Sequence, residues 1–347
     1  MNKDQLNTSL YLLSVLGFLI FFLSCSIDNK SSDSNKKDFL INNSSSRDRI
    51  REVTFLPYWV SPAQFAGYYV ALKKGIYEKY NLKVNIIQYK PFITSIDLIA
   101  KGEADFAALW LANAIQLKAC GVDIVNIAQP SSRSSLMLIT KKKSGIDSIE
   151  KMNGKRAGIW NGYEMQPKAL FNKFNVDVEI VPIGSTNTLF LMDAVEITNA
   201  NWFDEYHSIL NSGYNPDELN TFFFADYGMN FLEDGIYCLS DLAKKEPDVC
   251  IDFINATLDG WRYAFNHKQE TLDIVVKIAK DYNLPVNKIH MEWTLDRYKD
   301  LYLPEGKTEF NNILQEKDYQ LVGKVLKGDN IINEIPDFNE FYQPLIK

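Results

Sequence analysis

Four cysteines and three histidines are few for a chain of 347 residues. After Cys25 the cysteines are Cys120, Cys238 and Cys250, an odd number that excludes a fully paired disulfide framework. None sits in a Cys-x-x-Cys pair or beside a zinc-type histidine; one bridge with a free thiol and three buried thiols are the alternatives, the second being the default expectation. The histidines His207, His267 and His290 are scattered, so no metal site is expected. Positive charge is also short: 37 Lys and Arg against 44 Asp and Glu leave a net charge of -7. That balance argues against nucleic acid as a partner. The catalytic signatures of nucleotide-binding loops, of Gly-x-Ser-x-Gly hydrolases and of His-Glu-x-x-His metalloproteases are missing. No internal repeat or heptad run stands out. No cofactor is expected.

What is present begins at the amino terminus. A short polar start carrying Lys3 precedes an apolar run from Leu10 to Leu23. The run has the length of a secretory core and is shorter than the ~20 residues of a membrane span. Ser24-Cys25 follows, a small residue and a cysteine placed as in a bacterial lipobox. Residues 1–24 are expected to be a lipoprotein signal peptide and Cys25 the lipidated residue. Residues 25–50, rich in Ser, Asn, Asp and Lys, cannot bury enough surface to fold and read as a flexible tether. The expected location is the cell envelope, with a lipid anchor in a bacterial membrane.

From Arg51 onward, short β-type runs alternate with helical stretches. The strands are expected at Val53–Leu56, Leu82–Ile87, Ala104–Leu109, Ile124–Ala128 and Leu136–Thr140. Others are expected ending at Trp160, and at Glu179–Pro182, Val195–Ala200, Thr221–Ala225 and Ile236–Leu239. Helices are expected between them, and the chain is expected to be helical from Asp241 on, including Lys307–Lys327. Alternation of this kind predicts an α/β fold with mostly parallel sheets.

Several residues are candidates for ligand binding. Gln64, Phe65 and Tyr68 open a helix whose free N–H groups suit a polar ligand, although packing on the sheet is the alternative. Trp110 lies just past a short buried strand, where it either stacks on a ligand or fills the core. Ser132 belongs to a hydroxyl cluster, Ser131-Ser-Arg-Ser-Ser135, before a strand. Trp160 and Asn161 end a strand, where α/β sheets bind ligands. Trp202 and Glu205 join an aromatic to an acid that either caps a helix or accepts N–H groups of a heterocycle. Trp59 and Trp160 are expected to form an aromatic clamp, which suits a flat ring. Asp105 is expected to cap a turn.

The run from Trp59 to Tyr77, with Asn81-Leu-Lys-Val84, resembles the start of ABC-importer solute-binding proteins related to thiamine-pyrimidine-precursor binders. Riboflavin, sulfonate and taurine binders are sister groups. Gly102-Glu-Ala-Asp-Phe106, Gly158-Ile-Trp160, Asn201 to Tyr206, Ala225-Asp-Tyr-Gly228 and Gly260-Trp-Arg-Tyr263 are similar to further pieces, in order. The resemblance spans about Arg51 to Lys280. It implies a two-lobed periplasmic-binding-protein fold (type II) with two crossings. One lobe is expected from 51–131 plus 226–347 and the other from 132–225. It implies a small heteroaromatic ligand, a flavin or a thiamine-related pyrimidine, and an ABC permease as partner, and it adds Tyr227 to the candidates. Gln64-Phe65 stands where the pyrimidine binders carry Asn and His. The family's pyrimidine synthases depend on a cysteine cluster and an active-site His, which this chain lacks. A sensory receptor for a membrane kinase is an alternative function, and an enzyme of the synthase type a more remote one.

Overall fold

The computed structural model describes residues 49–87 and 95–346. The expected signal peptide, Cys25 and almost all of the expected tether lie outside the described residues.

Two five-stranded sheets form the framework. The first has the order β2-β1-β3-β10-β4, from Leu82–Ile86, Arg51–Leu56, Phe106–Leu109, Gly235–Leu239 and Ile124–Ala128. The second has the order β7-β6-β8-β5-β9, from Val178–Ile183, Lys155–Trp160, Ile197–Asn201, Leu136–Lys141 and Leu219–Phe223. β1 runs parallel to β2 and β3, and β6 parallel to β7 and β8. The sheets are mostly parallel, as expected, with one strand in each running against the rest: β10 is antiparallel to β3 and β4, and β5 to β8 and β9.

Chain path explains both exceptions. The chain leaves the first sheet at the carboxyl end of β4 and enters the second through β5. It leaves the second at the carboxyl end of β9 and returns through β10. A strand entered from the side where its neighbours end must run against them. The carboxyl ends of β1, β3, β4, β6, β8 and β9 therefore all face the junction between two lobes. In open α/β sheets that side is where ligands bind.

Period-two alternation places the cores. In β1, Val53 and Phe55 point to one face and Leu56 to the other, into separate apolar clusters. On the first face, helix Ala66–Lys73 packs against helix Pro247–Asn266. Gly67 and Gly260 make that crossing close. A Cβ on Gly260 would lie 2.2 Å from the Gly67 carbonyl oxygen, and one on Gly67 2.3 Å from Trp261 Cγ. Helix Lys288–Tyr302 adds Leu295, Tyr298 and Leu301 to the same core. Helix Glu316–Gly328 packs against both Leu111–Ala119 and Met165–Phe174, touching elements on either side of the junction.

Two helices are shorter than the sequence suggested. The first begins at Ala66, because residues 62–65 form turns. Of the stretch expected as helix over Lys307–Lys327, only the part from Glu316 is helical. Its apolar residues Phe310 and Leu314 are buried from irregular chain instead. Asp105 bonds to a neighbouring strand, where the sequence suggested a turn cap. Its carboxylate accepts Thr54 N–H at 2.7 Å and the Thr54 hydroxyl at 2.8 Å, tying the start of β3 to β1. Cys238 and Cys250 are buried thiols, whereas Cys120 is partly exposed.

Candidate ligand-binding cleft

Aromatic side chains from both lobes meet at the strand ends. Tyr58 follows β1, Trp110 follows β3, Trp160 ends β6, and Tyr163 sits in the turn after it. The hydroxyls of Tyr58 and Tyr163 share a hydrogen bond of 2.8 Å across the junction. Trp110 lies 5.4 Å from Tyr163, edge to face, and 6.1 Å from Tyr58. Trp160 also meets Tyr163 edge-on, at 6.1 Å. Trp59 is 44% exposed, beside this cluster in sequence.

Buried acids gather near the same strand ends. Glu233 lies in the returning segment before β10. It accepts the Ser134 hydroxyl at 2.8 Å, the Ser135 N–H at 3.1 Å and the Ser135 hydroxyl at 3.1 Å, all from the outgoing segment. The two crossings are thus bonded to one another. Burial pushes the Glu233 carboxyl up to about 7, against the pull of the serine bonds. Its neighbour Asp234 accepts Gln64 Nε2 at 3.2 and 3.3 Å, and the Tyr298 hydroxyl. Burial also lifts Asp234, to about 6.

Glu205 opens the short helix Glu205–Asn211 just past β8. Its Oε2 accepts the Asn201 N–H at 2.9 Å, and Asn201 Oδ1 accepts the Ser135 hydroxyl at 3.0 Å. A chain of polar contacts therefore runs from Glu233 through Ser135 and Asn201 to Glu205. Part of Glu205 remains open to solvent. Desolvation, helped by the charge of Asp204, still raises its carboxyl to about 8. At neutral pH such a group is largely a protonated acid, able both to donate and to accept.

The candidate residues separate into groups. Trp110, Trp160 and Glu205 stand at strand ends facing the junction. Gln64 is buried there with its amide already bound to Asp234. Phe65 and Tyr68 are core side chains: Tyr68 stacks on Phe55 at 4.0 Å, and Phe65 meets both rings. Trp202 is half-buried under the Arg297 guanidinium, 4.7 Å from its ring. Asn161 and Ser132 are exposed. Ser132 lies instead in a shallow depression with Arg133, Asn230 and Lys317. Tyr227 packs edge-on against Phe174. Sequence reasoning missed Tyr58, Tyr163, Glu233 and Asp234. The hydroxyl cluster was the available signal for the crossing, but the inward hydroxyls belong to Ser134 and Ser135.

Among the described residues no cluster of three metal-ligating side chains forms, and no helix is long and apolar enough to cross a membrane.

Two mixed sheets, joined by two crossings that leave from strand carboxyl ends, make a two-lobed periplasmic-binding-protein fold. Comparison with known proteins supports the same class. The periplasmic aliphatic sulphonate binding protein SsuA of Escherichia coli superposes with a TM-score of 0.67 at 13% identity, over 84% of this chain and 92% of that one. The ligand-binding component of an ABC-type import system from Staphylococcus aureus superposes with a TM-score of 0.56 at 12% identity, over 85% and 97%. The profile of the family described as NMT1/THI5 like matches residues 62–271, and the chain belongs to that family. A curated relative, the 4-amino-5-hydroxymethyl-2-methylpyrimidine phosphate synthase of Legionella pneumophila, is 21% identical over 84% of this chain and 90% of its own length.

Proposed function

We propose that this chain is the lipid-anchored solute-binding receptor of an ABC importer, and that its cleft holds a small heteroaromatic nutrient, a flavin or a thiamine-related pyrimidine. The observation that carries this reading is an aromatic cluster at strand ends of both lobes, with the part-exposed acid Glu205 just past β8, the strand next to the one that ends in Trp160. Trp160, partly exposed, offers a face for a flat ring, Trp110 is buried against Tyr58 and Tyr163, and Trp59 is exposed enough to close over a ligand ring. Glu205 offers a hydrogen-bonding partner for ring N–H and amino groups. Ligand contacts from both sides would stabilise the closed arrangement of the lobes, the form that docks on a permease.

Mass spectrometry of small molecules released from the purified protein tests the ligand class; a sugar or an aliphatic sulfonate as the sole bound solute refutes it. Glu205→Gln keeps the shape and removes both the acidic O–H donor and the ability to ionise against a ligand N–H. It is expected to weaken binding of the released ligand about ten- to a hundredfold. Unchanged affinity with an intact fold rejects the role of Glu205. The lipid anchor rests on Ser24-Cys25 after the apolar run. Cys25→Ala is expected to abolish incorporation of labelled lipid and free the protein from membranes.

The Legionella relative named as a synthase favours a second reading, turnover of a pyrimidine precursor. Phe65 at the position expected for a histidine, buried in the core, opposes it. Product formed by the purified protein supplied with iron would establish that reading instead.

A further inference from the structure

We propose that His207 and His290, far apart in sequence, form a latch across the two lobes that closes with one proton between the rings and opens when a second arrives.

His207 lies on helix Glu205–Asn211, which packs on the second sheet with Tyr206 and Ile209 in that lobe's core. His290 lies on helix Lys288–Tyr302, whose Met291, Leu295 and Tyr298 belong to the core of the first sheet. The two Nδ1 atoms are 2.9 Å apart. Two ring nitrogens at that distance form a hydrogen bond only when one carries hydrogen and the other does not. A neutral or a singly protonated pair satisfies this condition. A doubly protonated pair sets two N–H groups against each other and adds like-charge repulsion.

The surroundings hold the pair in register. Asp204 Oδ1 accepts His290 Nε2–H at 2.9 Å, so the first-lobe histidine is bonded to the second lobe through both ring nitrogens. His207 stacks on Trp293 at 4.8 Å and 7°. Trp293 Nε1–H donates to the Trp202 carbonyl at 2.8 Å, again across the lobes. The Arg297 guanidinium lies 4.4 Å from Trp293 and 4.7 Å from Trp202. The groups facing the pair are Asp204 and Asn211 from the second lobe, with Asn211 Nδ2 3.2 Å from His207 Nδ1, and Trp293 and Arg297 from the first. Asp204 favours a proton on the pair, whereas Arg297 and the second ring oppose it.

His207 is half of a site that resists the second proton. Burial first, then His290 and Arg297, hold it below its ordinary value of 6.5, and Asp204 offsets only part of this. A histidine depressed in this way adds stability above its unfolded value and loses it as pH falls through its folded one. The latch is therefore closed at neutral pH and released by acid. Asp204 also joins the latch to the proposed ligand site, since its charge is one cause of the raised Glu205 carboxyl.

Small-angle scattering of the full chain without added ligand tests the latch, from about pH 8 to about pH 5. The expected result is a constant radius of gyration at neutral pH and a rise below 6.5, the ordinary histidine value. Once His207 titrates, the ratio of open to closed forms should rise up to about tenfold per pH unit. Trp293 gives a local readout, because a protonated imidazole stacked on an indole quenches its fluorescence. The quenching step should coincide with the expansion. His207→Phe keeps a ring on Trp293 and cannot take a proton, and its radius should stay flat over this range. If that variant fails to fold, His290→Gln, which leaves no second ring to charge, serves the same purpose. A wild-type radius that does not change with pH, or an expansion of equal size in the folded variants, overturns the proposal.

Discussion

The state of Glu205 makes a quantitative prediction without a ligand in hand. Its carboxyl is raised from 4.5 to about 8, chiefly because burial penalises the charged form. Below 4.5 the folded and unfolded chains both hold the proton, and the group costs nothing. As pH rises toward 8, the unfolded chain ionises while the folded one keeps its proton, so stability is lost across that window. At about 1.4 kcal/mol per pH unit, the full shift sets an upper limit of about 5 kcal/mol. Solvent on the open side of Glu205 screens part of this, which leaves roughly 2–3 kcal/mol. Glu205→Gln cannot ionise and still accepts the Asn201 N–H. It should match the wild type near the acid end of the window and exceed it by roughly 2–3 kcal/mol near the alkaline end. For a protein of this size that is a rise of roughly 3–5 °C in Tm. Chemical denaturation of both proteins at several pH values measures the difference directly. If the advantage of Glu205→Gln is the same at acid and alkaline pH, the carboxyl is not raised and the account of the site fails.

Gly260→Ala drives a Cβ into the Gly67 carbonyl, so two helices of the first lobe must separate; a loss of about 1–3 kcal/mol or more in denaturant is expected. Tyr163→Phe removes the hydrogen bond to Tyr58 across the cleft. It should cost about 1 kcal/mol of closure, seen as a roughly fivefold shift toward the open form in scattering, with little change in the melting of either lobe. Ser135→Ala deprives Glu233 and Asn201 of a shared hydroxyl. It should destabilise the protein by about 1–3 kcal/mol in denaturant, and an unchanged midpoint would show that this hydroxyl adds nothing to the bonds that the Ser134 hydroxyl and the Ser135 N–H make to Glu233.

Much of the fold is legible from residue pattern alone, because short strands and amphipathic helices carry local periodicity. The strand runs beginning near Val53, Leu82, Ile124 and Leu136 are recovered to within a residue or two, since alternation and flanking turn residues are properties of neighbours in sequence. Strand direction was not legible. β5 and β10 read like any other strand, and only the route of the chain through the junction turns them against their neighbours. The buried segment around Phe310 and Leu314 likewise looked helical because its apolar residues pack against a surface formed elsewhere.

The site divides along the same line. Large aromatics at strand ends, Trp110 and Trp160, and the acid Glu205 can be picked out because position relative to a strand is a local property. The reach of a side chain across the cleft is not. Tyr58 and Tyr163 are 105 residues apart and touch only because two lobes fold toward each other. Glu233 and Asp234 read as an ordinary acidic pair in a loop, and burial beside Ser134, Ser135, Gln64 and Tyr298 raises their carboxyls. His207 and His290 appear unrelated along the chain, 83 residues apart, and packing of one helix from each lobe brings their rings together. Sequence alone determined the elements and the class of fold, because hydrophobic period acts over a few residues. Tertiary structure decided strand sense, the protonation of the acids and the pairing of the histidines, because desolvation and contact depend on atoms supplied from distant parts of the chain.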